Sequence, residues 1–93
     1  MIIIYDVIAK RHSGNSRPDV VLFYDEDRET AIKFMGKYNK QNGFTIVEKD
    51  GRFTIADIIL RERTSAGEEI SRKSYIEIFD ECGNRKKEEQ AIG

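Results

Sequence analysis

This chain has a single stretch that reads as helix, yet it carries more apolar strand than one helix can cover. Residues 25–42 hold the helical pattern, and the flanking segments are β-like with apolar side chains on both faces. One helix shields one face of a small sheet. The opposite face therefore calls for another lid, and a second copy or a partner protein is the expected one. The 93 residues make one domain with a thin core. It is expected to span 1–80, with 81–93 as a frayed or disordered tail of dense mixed charge, a short helix at best. A tail folded back over the second face would remove the need for a dimer.

The order of elements follows from local pattern. MIIIYDVIAK is rich in branched residues and reads as a first strand. Arg11 to Pro18 is a polar loop, its Gly, Asn and Pro each suited to turns. Asp19 to Tyr24 reads as a second strand in a hairpin with the first. In the next segment Ala31, Phe34, Met35 and Tyr38 recur at i, i+3, i+4 and i+7, one stripe of an amphipathic helix that Ile32 widens. Asp25 or Asp27 caps it, with no Glu or Gln three positions on to complete a capping box. Lys33, Lys37 and Lys40 lie toward the negative end of the helix dipole, and Gly43 stops the helix.

After the helix, Asp50-Gly51 between two strand-like runs predicts a two-residue hairpin turn. In that register Lys49 faces Arg52 and Ile46 faces Ile55. One face then carries Phe44, Ile46, Phe53, Ile55 and Ile59. The other carries Thr45, Val47, Thr54, Ala56, Ile58 and Leu60, and is itself largely apolar. A further hairpin turns near Ser65-Ala66-Gly67, and the last strand is read as 70–79. The expected fold is α+β: a β-hairpin, one α-helix on one face of the sheet, then a three-stranded antiparallel meander. The connection from Tyr24 to Phe44 is long enough for the second and third strands to lie parallel.

No catalytic constellation is visible, and the chain is read as a non-enzyme without cofactor or metal. His12, the single histidine, sits beside Lys10 and Arg11 with no orienting acid or nucleophile adjacent, and reads as a solvated loop residue. Cys82 follows two acids, which disfavour the thiolate, and one Cys with one His makes no typical zinc site. Asp25, Glu26 and Asp27 lack the glycine of a calcium loop and read as helix-start acids. Asp6 and Asp57 interrupt apolar strands. Without the Lys that accompanies paired strand carboxylates in magnesium nucleases, they read as acids facing water or paired with Arg or Lys. The glycines form neither GxxxxGK[ST] nor GxGxxG.

Two binding surfaces compete. The leading one is the second apolar face, Val47, Ala56, Ile58 and Leu60, with Tyr5 and Val7 as additions. Contiguous apolar surface of a few hundred Å2 marks an interface, here for a homodimer or an assembly subunit, most simply two-fold. The alternative is nucleic acid, bound by Arg61, Arg63, Arg72 and Lys73 on the second hairpin, since a two-stranded ribbon fits a major groove. Interleaved Glu62, Glu68 and Glu69 weaken that reading, as does a net charge of −1 for the whole chain. The N-terminus is too short for a membrane span and lacks the basic region of a secretory signal, so no membrane partner is expected. A cytoplasmic location fits the single cysteine.

Overall fold

A branched run in the first half of the chain pairs with one in the second half. In the computed structural model, which describes residues 2–80, β1 (Ile3–Lys10) lies antiparallel to β2 (Val20–Asp25) on one side and to β5 (Asp57–Thr64) on the other. β6 (Glu69–Ser74) pairs with the outer side of β5, giving a four-stranded sheet in the order β2-β1-β5-β6. Between β2 and β5 come α1 (Arg28–Asn42) and a separate two-stranded hairpin of β3 (Thr45–Glu48) and β4 (Gly51–Thr54). Residues 75–80 form a short second helix, α2. The fold is α+β with every ladder antiparallel, so the long connection through α1 does not set β2 and β3 side by side. The tail 81–93, with Cys82 in it, lies outside the described residues.

Local chemistry explains α1. Asp27 is its N-cap, accepting from Thr30 N–H at 3.2 Å and from the Thr30 hydroxyl at 2.6 Å. Asp25 instead ends β2 and accepts from Asp27 N–H. Gly43, at φ 55°, donates to Asn39 O, which closes the helix. Phe44 also has positive φ, at 52°. A left-handed conformation costs a non-glycine residue about 1–2 kcal/mol. Here Asn39 Oδ1 holds the Phe44 N–H at 2.9 Å and the Phe44 ring meets Tyr75 edge-on. This pair of left-handed residues reverses the chain into β3.

The helical stripe packs as its spacing requires. Ala31 and Met35 are fully buried among Val7, Ala9, Ile46, Ile55, Ile58, Leu60 and Ile78. Phe34 stacks on Phe23 at 4.5 Å and on Tyr38 at 5.7 Å. The bulge that leaves Leu22 without a partner on β1 lets both Leu22 and Phe23 reach this core.

Three details depart from the sequence reading. The β3–β4 turn is Lys49-Asp50, with Glu48 opposite Gly51 and Ile46 opposite Phe53. Each partner is displaced by two positions, so the same side chains share a face. The Arg17 guanidinium holds the Asp50 carboxylate from outside the hairpin and so fixes Asp50 in the turn.

The run from Arg52 to Arg63 is also not one strand. At Ile55 and Ala56 the chain changes partners, Ile55 N–H bonding to Phe44 O and Ala56 N–H to Lys10 O. The meander is thereby divided into two hairpins, and the residues facing the core switch parity, from Phe53 and Ile55 to Ile58 and Leu60. Finally, the last strand stops at Ser74. Ser74 Oγ accepts from Glu77 N–H and Glu77 Oε2 accepts from Ser74 N–H, a capping box that starts α2. Asp57 Oδ1 accepts from Tyr75 N–H at the same point. α2 buries Ile78, and Phe79 lies where a Cβ on Gly36 would be 3.2 Å from its ring, so Gly36 allows α2 to rest against α1.

Candidate interaction surface

The register divides the expected interface residues between core and surface. Ile58 and Leu60 stand opposite Ala9 and Val7, on the face that α1 covers, and are 0% and 4% exposed. They belong to the core, as does Val7. Tyr5 is half-buried on the same side, while Val47 and Ala56 are exposed. The four therefore form no common patch. The cause is the change of partners at Ile55 and Ala56, which turned the supposed outer face of β5 inward.

The helix-free face comprises three rows that run across the strands. The first is Ser74, Ile59, Ile8 and Val21. The second is Arg72, Arg61, Asp6 and Tyr24. The third is Glu69, Arg63 and Ile4. Ile8 and Ile59 are buried but stand apart from the main core.

At the centre Asp6 is 1% exposed and held by two arginines. Arg61 reaches its Oδ2 at 2.8 Å through Nη2 and 3.0 Å through Nε. Arg63 reaches the same oxygen at 2.6 Å through Nε, and Oδ1 at 3.2 Å. Burial pushes the Asp6 carboxyl up. The hydrogen bonds and charges of Arg63 and Arg61 outweigh this and hold it below the usual carboxylate range. Asp6 is thus paired as its sequence context suggested, but out of water. The first two candidate nucleic-acid contacts, Arg61 and Arg63, are committed to it. Arg72 pairs with Glu69 at 2.9 Å. Lys73 lies on the other face, opposite Leu60.

A second cluster fastens the β3–β4 hairpin to the loop after β1. The Arg11 side chain is nearly buried, its Nε donating to Pro18 O at 2.8 Å while Nη2 pairs with Glu48. Arg17 pairs with Glu48 at 2.6 Å and with Asp50, and lies 4.8 Å over the Phe53 ring. Arg11, and beyond it Arg17, depress the Glu48 carboxyl against a smaller upward push from burial, and Arg17 depresses Asp50. Asp57 works as a backbone cap for Ile58 and Tyr75. Lys10, four positions along β1 from Asp6, is the residue opposite Asp57, so the two acids share no site. Among the described residues no three His, Cys, Asp or Glu side chains converge as metal ligands, and no helix is long and apolar enough to cross a membrane.

The two edges of the sheet differ sharply in chemistry. β6 reads EISRKS, and charges at such an edge discourage strand addition. β2 reads VVLFYD, with no charge from Val20 to Tyr24. Along it Val21 is 48% and Tyr24 66% exposed, both on the helix-free face. Beside them Ile4, Tyr24, Asp25 and Glu26 border an open depression of about 410 Å3. Among the described residues the outer side of β2 has no strand partner. Sequence reasoning missed this edge because strand order is not a local property. The charge-free run VVLFY was the available signal. In comparisons with known proteins, no family model, no curated protein and no solved structure matches the chain.

Proposed function

We propose that the chain is a non-enzymatic interaction module whose partner is a second copy of itself, joined through the β2 edge and the adjoining helix-free face. The observation that carries this reading is the contrast between the edges: β6 is charged, while β2 is apolar and, among the described residues, has no strand on its outer side. Strand addition satisfies the backbone groups of an open edge. A two-fold between copies runs β2 antiparallel to its twin and continues the sheet through both molecules. Val21 and Tyr24 then meet their counterparts across the seam, where aromatic and β-branched pairs contribute roughly 0.2–1 kcal/mol each. A cytoplasmic setting accompanies this reading, on the single cysteine.

Sedimentation velocity over a concentration series tests it. Wild type should sediment as a dimer. Val21→Lys and Tyr24→Lys, both at exposed positions, should sediment as monomers with unchanged circular dichroism, while Ile70→Lys on the opposite edge should remain dimeric. A wild-type monomer throughout the series, or a dimer untouched by Val21→Lys and Tyr24→Lys, would sink the proposal.

A further inference from the structure

On the helix side of the sheet α1 packs on β1, β2 and β5, and between it and β6 lies a small polar cavity. It holds about 100 Å3, roughly the space of three waters, and is lined by Tyr5, Arg28, Leu60, Glu62, Ser71 and Lys73. Tyr5 and Glu62 are cross-strand partners, as are Glu62 and Ser71, and Leu60 and Lys73. Arg28, the first residue of α1, closes the cavity from above. Four elements thus direct two cations, two hydroxyls and one carboxylate into a space the size of a small oxyanion.

The acids nearby already have donors. Asp25 takes Asp27 N–H, and Asp27 takes the Thr30 amide and hydroxyl. Tyr5 stands opposite Glu62, and burial together with the Glu62 charge pushes its phenol up. Lys73 has an interaction of its own. Among the described residues the Arg28 guanidinium has neither an ion pair nor a hydrogen bond. A half-buried guanidinium fork facing a cavity suits the paired oxygens of a phosphate or carboxylate.

We infer that this cavity is a binding site for the free hydrogen phosphate ion. Arg28 and Lys73 supply the charge, and the Ser71 hydroxyl donates to an oxygen. Glu62, the one acid in the lining, gives the site its selectivity. A carboxylate repels an oxyanion unless that anion brings a proton to share. Hydrogen phosphate carries a P–OH at neutral pH that Glu62 can accept, and sulfate carries none. The site should therefore take phosphate and refuse sulfate. It is separate from the β2 edge, so neither proposal depends on the other.

The test is an amide NMR titration of the full chain with inorganic phosphate, methyl phosphate and sulfate at matched ionic strength. Phosphate should give saturable shifts at Arg28, Ser71 and Lys73, and sulfate should give none. Methyl phosphate has given up its second proton at neutral pH and should be refused as sulfate is; shifts equal to those of phosphate would overturn the role of Glu62. Arg28→Met should abolish the phosphate shifts. Glu62→Gln, close in shape and so expected to fold, should admit sulfate. The inference is overturned if phosphate gives no saturable shift, if wild type answers sulfate as it answers phosphate, or if Arg28→Met leaves the phosphate shifts in place.

Discussion

Asp6 and Glu48 are each gripped by two arginines, one beneath the helix-free face of the sheet, the other between a hairpin and a loop. The side chains are 1% and 20% exposed respectively. Asp6 has lost its water, and the guanidiniums of Arg61 and Arg63, which cover it on the helix-free face, replace its hydration shell. Glu48 keeps contact with solvent, and its pairs are correspondingly weaker in stability terms. What Glu48 and Asp50 provide is position: they hold β3–β4, which shares no ladder with the main sheet, against Arg11 and Arg17. The same chemistry thus supports the fold in one place and orients an appendage in the other.

The largest effect expected from breaking this contrast is at Asp6. Asp6→Ala leaves two guanidiniums without their carboxylate. Loss of one partner from a fully buried pair costs about 3–5 kcal/mol. Arg61 and Arg63 remain 27% and 21% exposed and recover some water. We expect about 2 kcal/mol, or roughly 10 °C in Tm, by thermal melting. A loss no greater than that of Glu48→Gln would erase the distinction between the two clusters.

Acid sharpens the comparison next. The folded-state carboxyls of Asp6 and Glu48 both lie below their usual values. Their contribution is therefore complete above the unfolded carboxylate range and is lost as pH falls through the folded values. Denaturant melts between about pH 5 and pH 2 should show stability falling with acid, with a shallower slope in Asp6→Asn than in wild type. An unchanged slope would remove Asp6 from the acid response.

Glu48→Gln should act locally. Amide exchange should quicken across β3 and β4 while β1 and β5 keep their protection, a pattern visible by hydrogen exchange. Uniform quickening would mean that the hairpin and the sheet open together. Arg17→Lys is the smallest change. It keeps the charge but loses the fork that spans Glu48 and Asp50 and the stacking on Phe53. A Tm shift of about a degree or less is expected, diminished further at 1 M salt, where screening shortens to about 3 Å.

Much of the local structure was legible. The i, i+3, i+4, i+7 stripe and Gly43 announced α1, and branched residues announced β1, β2 and β5. The capping box Ser74–Glu77 was equally local, but the strand-like ISRKSYIEIF around it concealed the stop. The candidate surface was legible only in part. An apolar excess was visible in the sequence, yet it was assigned to Ile58 and Leu60, which the fold buries, while the open apolar edge is β2.

The sequence by itself determined α1 with its stop at Gly43, and the extended runs of β1, β2 and β5. Those choices depend on side-chain spacing, caps and turn residues within a few positions of one another. Only the tertiary structure decided that β1 takes β5 as its inner neighbour, that the chain changes partners at Ile55 and Ala56, and that Asp6 lies out of water against Arg61 and Arg63 more than fifty residues away. A strand pattern alternates in the same way whichever neighbour it meets. The neighbour is chosen by which arrangement buries the most apolar surface while leaving each buried charge a partner.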